Sequence, residues 1–182
     1  QAMNRPIMTQ LRIAHLAMDL QQRLADLNRD YQAVINSRKR LERRMEEGDA
    51  VYGVNTGFGI LANQRIAADE LGKLQRNLLI SHACGVGEPV PYDITRLMIQ
   101  FKIHALGQGY SGISESTFSQ LLKLAEHEIT PFVPSRGSVG ASGDLAPLAH
   151  LSLPLLGLGK VWNQERNGPE DSATALARAG IK

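Results

Sequence analysis

Apolar residues recur at intervals of three and four along most of this chain, and that period confines the fold to packed helices, because a half-buried strand needs alternation at two. Ile13, Ala17, Leu20, Leu24 and Leu27 form one such stripe, with Thr9 available as its N-cap. A second helix opens at Asp30, turns Val34, Leu41 and Met45 inward, and stops near Gly48, a residue suited to the left-handed C-terminal position. Helix resumes at Asp69, where Leu71, Leu74, Leu78 and His82 share a stripe that Gly85 ends. Further helical patterns run from Ile94 to Ala105, from Phe118 to Ile129, and from Asp144 through Leu145, Leu148, Leu151 and Leu155, with a small one from Ala173 to Ala179. Strand signals are confined to GKVWNQERNGPED at 159–171, where Val161 and Trp162 precede an Asn-Gly turn and predict one short β-hairpin near 160–169. The expected fold class is all-α, mainly helical, interrupted by two Gly-rich loops, and loops on a rigid scaffold are where chemistry concentrates.

The 182 residues, 43% of them hydrophobic, suit a single domain over 1–182 with one ordinary core. Twenty basic against 18 acidic residues leave a net charge of +2, too balanced to point to nucleic acid or a membrane surface. A small molecule or another subunit is the expected partner. The basic run RKRLERR at 38–44 reads as a solvated helix face, since Leu41 continues the apolar side and Glu42, Glu46 and Glu47 follow. The single Cys84 cannot form an intramolecular disulfide, no secretory leader pattern is visible, and no apolar run reaches membrane-spanning length, so a cytoplasmic protein is expected. Neither an HExxH nor a paired-cysteine pattern occurs, and no metal is expected. His15 and His127 fall among polar neighbours and read as solvated, while His104 and His150 lie beside apolar stripes.

The first Gly-rich loop is YGVNTGFG at 52–59 and the second opens GSVGASGDLAPLAH at 137–150. GSVGASG is a poor phosphate cradle, because no strand precedes it and no Lys-Ser or Lys-Thr pair closes it, so no nucleotide is expected. On spacing alone it is a linker that lets the chain enter the next helix. By the same standard Tyr52 is a loop aromatic and His82 a core histidine satisfied by its neighbours.

The complete strings say more. YGVNTGFG, LQRNLLISHACGVG at 74–87 and GSVGASGDLAPLAH resemble the histidine ammonia-lyase family of aromatic amino acid lyases. The resemblance implies that Ala141, Ser142 and Gly143 cyclise, the Gly143 amide attacking the Ala141 carbonyl with loss of two waters, to give a methylidene-imidazolone (MIO). Glycine offers an unhindered amide, alanine a small neighbour, and serine the hydroxyl whose elimination leaves the exocyclic methylidene. The family pattern makes Tyr52 the base that takes the substrate's β-proton, a task for which free tyrosine, with a pKa of about 10, needs help from its surroundings. It sets Ser81 and His82 against the substrate side chain, a pair that argues against phenylalanine better than against tyrosine. Gly59 and Asn55 then help to shape the site, with turn formation an equal explanation, and Asp144 and His150 support the MIO loop.

The resemblance runs from about residue 11 to 180 but matches only the N-terminal portion of a family member. It implies that a C-terminal helical bundle, with the asparagine that supports the prosthetic group and the residues that bind the substrate carboxylate, lies outside this chain. It also implies a homotetramer with shared active sites, so that these residues alone are inactive and prone to self-association. The expected activity of the parent is elimination of ammonia from L-histidine to give trans-urocanate. A tyrosine ammonia-lyase or aromatic aminomutase of the same family is the near alternative. A non-catalytic helical oligomerisation domain is the alternative of another class.

Overall fold

A computed structural model describes residues 11–57, 66, 70–139, 143–163, 165 and 168–181. Thr9, Gly59, Ala141 and Ser142 lie outside the described residues. The described chain is mainly helical: α1 Leu16–Arg29, α2 Gln32–Glu46, α3 Leu71–His82, α4 Tyr92–Leu106, α5 Glu115–Glu126, α6 Leu145–Ser152 and α7 Ser172–Arg178, with single 3-10 turns at Ile13–His15 and Leu153–Leu156.

The core forms where α4 and α5 pack together and against α1 and α2. Leu27, Val34, Ile99, Ile103, Phe118, Leu121, Leu122 and Leu124 are all buried there, and Val133, Leu151, Val161 and Ala175 join them from the second half of the chain. Phe118 is fully enclosed and meets Tyr31 edge-on at 5.5 Å between ring centroids. Helix α5 starts at Ser114 because its hydroxyl accepts the Thr117 amide hydrogen, satisfying one of the donors that a helix N-terminus leaves unpaired. Helix α2 ends as expected, with Gly48 at φ +91° just beyond it.

Several expected details change. Ile13 and Ala17 are exposed, Ile13 at 95%, because the stripe of α1 turns inward only from Leu20 to Leu27. On α6 the inward face is Ala146, Ala149 and Leu151, while Leu145 and Leu148 are exposed. Small side chains on that face let α6 approach α3. Gly85 does not stop α3: the helix ends at His82, Ala83 donates back to Leu79 and Ile80, and Gly85 has no left-handed φ.

The hairpin near 160–169 is present as β3 (Lys160–Asn163) paired antiparallel with β4 (Gly168–Asp171), Lys160 opposite Asp171 and Asn163 opposite Gly168. A second antiparallel pair was not visible in the sequence. It joins β1 (Val86–Pro89) to β2 (Pro134–Arg136), with Val86 opposite Arg136 and Pro89 opposite Pro134. These strands are short, carry little alternation and lie far apart in sequence, so no local signal announces them. Their pairing ties the chain leaving α3 to the chain entering the second Gly-rich loop.

Candidate active site

Four segments carry the candidate residues: the loop at 49–57, the C-terminal end of α3, the ends of the loop that begins at Gly137, and the first turns of α6. The 49–57 loop is held by its own polar groups. Asn55 accepts the Val51 amide hydrogen through Oδ1 at 2.8 Å and donates from Nδ2 to the Asp49 carbonyl at 2.9 Å. Thr56, 2% exposed, accepts from the Gly53 amide and donates to the Gly57 carbonyl. Asn55 is thus a turn-forming residue that clamps the loop from both sides. Within this frame Tyr52 is 64% exposed, so its ring is not a core anchor. Thr56 is a structural residue that sequence reasoning missed, its signal being a hydroxyl inside a Gly-rich turn.

At the end of α3, His82 is half-buried, with Nδ1 2.8 Å from the Leu78 carbonyl oxygen. A carbonyl only accepts, so Nδ1 carries the proton, and in the neutral ring Nε2 is left with a free lone pair. Ser81 donates its hydroxyl to the same carbonyl at 3.0 Å and lies 3.3 Å from His82 Nδ1. In the neutral ring the pair therefore holds an oriented acceptor for an N–H or O–H donor. The single Cys84 is exposed two residues further on.

The second loop is pinched at its base, where the Ser138 hydroxyl donates to the Asp144 carboxylate. Asp144 precedes α6, yet it makes no side-chain cap to that helix, its carboxylate being engaged by Ser138 instead. Gly143 lies at φ +95° with no atom of the described residues, its chain neighbours aside, within 4 Å of where a Cβ would be, and the Leu145 amide donates to its carbonyl at 3.1 Å. A left-handed φ is one that only glycine adopts without strain, so the position after the loop is conformationally suited to Gly143.

His150 lies on α6, half-buried. Its Nε2 accepts the Gly85 amide hydrogen at 2.9 Å, and burial holds its pKa below the usual histidine value. Ser81, His82, Asp144, His150 and Gly143 therefore fall on segments that touch one another through β1–β2, Gly85 and α6. The Tyr52 loop is tied to the end of α2 through Asp49, whose amide donates to the Arg44 carbonyl and whose carboxylate accepts from Arg44 Nε at 2.9 Å, and the Asn55 carbonyl accepts the Ile66 amide hydrogen.

Among the described residues no group of His, Cys, Asp or Glu is arranged to hold a metal, and no helix is long and apolar enough to cross a membrane. His104 packs on α4, where burial first and then the positive charge of Arg23 hold its pKa down, and its Nε2 lies 3.2 Å from the Gln108 side-chain nitrogen. His15 and His127 are exposed.

Residues 9–182 match the family model described as aromatic amino acid lyase. A histidine ammonia-lyase of Legionella pneumophila (strain Corby) is 50% identical over 153 residues, which cover 84% of this chain and 30% of that protein. The crystal structure of histidine ammonia-lyase from Trypanosoma cruzi superposes with a TM-score of 0.74 at 31% identity, over 83% of this chain and 29% of that one. A tyrosine aminomutase from Streptomyces globisporus superposes with a TM-score of 0.73 at 30% identity, over 83% of this chain and 28% of that one. The chain thus spans about 30% of the length of the curated relatives it matches.

Proposed function

The chain belongs to the aromatic amino acid lyase family, and from that premise we propose that the whole protein is a histidine ammonia-lyase, converting L-histidine to trans-urocanate and ammonia. The observation that carries the reading is the oriented Ser81–His82 pair, whose Nδ1–H is committed to the Leu78 carbonyl and whose Nε2 is an acceptor. An imidazole side chain offers that acceptor an N–H, whereas a phenyl ring offers nothing. The identity to curated histidine ammonia-lyases supports the same substrate.

In this reading Ala141, Ser142 and Gly143 form the methylidene-imidazolone, and Gly143's open left-handed backbone together with the Ser138–Asp144 closure favours the ring-forming turn. The chemistry that group supplies when formed is electrophilic capture of the substrate amine, which makes ammonia a leaving group. Tyr52 takes the β-proton from an exposed loop that Asn55 and Thr56 keep in shape, and Gly59, further along the YGVNTGFG string, helps to shape the site. His82 fixes the imidazole so that the β-carbon is presented in one orientation, a positional contribution that lowers the entropic part of the barrier. His150 and Asp144 support this arrangement without touching substrate. We further propose a cytoplasmic homo-oligomer, as the family resemblance implies.

A tyrosine ammonia-lyase or aromatic aminomutase is the second reading, favoured by the equal fit of the S. globisporus tyrosine aminomutase and by a histidine acceptor that serves a phenol O–H as well. Incubating the whole protein with L-histidine and with L-tyrosine separates them. Appearance of urocanate with tyrosine untouched is expected. Turnover of tyrosine alone, to a cinnamate or to a β-amino acid, contradicts the histidine assignment.

A further inference from the structure

After α3 ends at His82, the chain makes its turn through Cys84, whose amide donates to the His82 carbonyl at 2.9 Å. Gly85 carries the next amide, and it leaves the turn to meet His150 Nε2 at 2.9 Å. The approach is close at both Gly85 and Gly137. A Cβ on Gly85 would stand 3.0 Å from His150 Nε2 and 3.2 Å from the Arg136 carbonyl oxygen, and one on Gly137 would stand 2.9 Å from the Gly85 Cα and 3.4 Å from the Ala146 Cβ. Three segments therefore converge on one point: the exit of α3, the exit of β2 and the inner face of α6.

We propose that His150 is a positioning residue for substrate recognition, fixing the end of α3 that carries Ser81 and His82 to α6 and to Gly137 by accepting the Gly85 amide hydrogen on Nε2. The proposal rests on the reading that Ser81 and His82 face the substrate. A histidine suits the position because an acceptor must sit at a definite reach from α6 inside a half-buried contact. A neutral ring offers one, and burial favours the neutral ring. His150 lies six residues beyond Asp144, roughly 9 Å along a helix at 1.5 Å per residue, so a rigid element rather than a loop transmits the register. Losing the acceptor would leave the Gly85 amide unpaired and free the recognition pair to drift from the loop that begins at Gly137.

The test uses the whole protein with H150Q, which keeps an acceptor at similar reach, and H150L, which removes it. Amide hydrogen exchange at Gly85 and the separate kcat and KM for L-histidine are measured. H150L is expected to speed Gly85 exchange about tenfold and raise KM about tenfold with kcat within about threefold, while H150Q stays near wild type on all three. Equal behaviour of the two variants, or Gly85 exchange unchanged in H150L, overturns the proposal. Should H150L fail to fold, the unaltered protein decides: a nitrogen–nitrogen scalar coupling between the Gly85 amide and His150 Nε2 is expected, and its absence contradicts the assignment. If wild type leaves histidine untouched, the histidine reading has failed, and exchange and coupling then judge the Gly85 contact without any substrate.

Discussion

At the scale of single residues, the account turns on which nitrogen of each histidine holds a proton. His82 donates its Nδ1–H to the Leu78 carbonyl, which in the neutral ring leaves Nε2 as an acceptor, while His150 uses Nε2 as the acceptor for Gly85. His82→Leu is expected to fold, since the side chain is only half-buried on a helix with no fully buried residue, and to raise KM for histidine about tenfold or more. A KM unchanged in that variant removes His82 from recognition. Tyr52→Phe is expected to cut turnover at least about a hundredfold with little change in melting temperature, because the ring is largely exposed; steady-state rates beside a thermal melt check both halves.

His150 also sets a pH dependence. Its folded pKa lies below the ordinary 6.5 because burial disfavours the cation, so the unfolded chain takes up the proton first as pH falls. The contact costs nothing above 6.5 and destabilises progressively as pH falls from there towards the folded value. His104 adds to the same trend, through burial and then Arg23. Melting temperature should therefore drop between about pH 7.5 and pH 5.5, and less so in His150→Gln. An identical slope in both proteins contradicts the burial of a neutral His150.

Much of this residue scale was legible from the strings that carry the resemblance, which single out Tyr52, Ser81, His82, Asp144 and His150 as types. What each side chain touches was not legible. Shaping of the site and turn formation fit Asn55 equally in the sequence, and its bonds to Asp49 and Val51 show the turn, while Gly85 reads as a helix stop because glycine after an apolar stripe usually is one. A close approach by a residue 65 positions away leaves no local trace.

At the scale of elements, the apolar period located the described helices because each turns one stripe inward, fully buried in most and only half-buried in α3. It misjudged where stripes begin, as with Ile13 and Leu145, since the period does not reveal which residues a neighbour covers. The β1–β2 pair is the element that matters most and was least visible, being too short to alternate. Gly137 is its most sensitive point. Gly137→Ala is expected to destabilise by roughly 1–3 kcal/mol, from φ +136° and a Cβ 2.9 Å from the Gly85 Cα, measured by urea denaturation. Helix α5 gives a control remote from the site: Ser114→Ala removes an N-cap and should cost about 1 kcal/mol without altering KM. A KM that moves with Ser114 would mean that stability alone explains the His150 effects.

At the scale of the whole molecule, one core ties α1, α2, α4 and α5 to the second half of the chain, where α6 joins it through Leu151, and α3 is held against α6. Ile80, Ile94, Phe101, Leu145, Leu148 and Leu156 nevertheless remain exposed. Apolar surface of this kind predicts that the 182-residue chain by itself self-associates as its concentration rises, which sedimentation at several concentrations would register. A monomer throughout would contradict that expectation.

The central claim is that residues 141–143 become the prosthetic group of an amino acid lyase. Its most direct test is the mass of the whole protein, with the peptide containing Gly143 mapped by fragmentation. The account predicts a deficit of two waters localised to Ala141, Ser142 and Gly143, lost again in Ser142→Ala together with urocanate formation. An unmodified mass in active wild-type protein would contradict it.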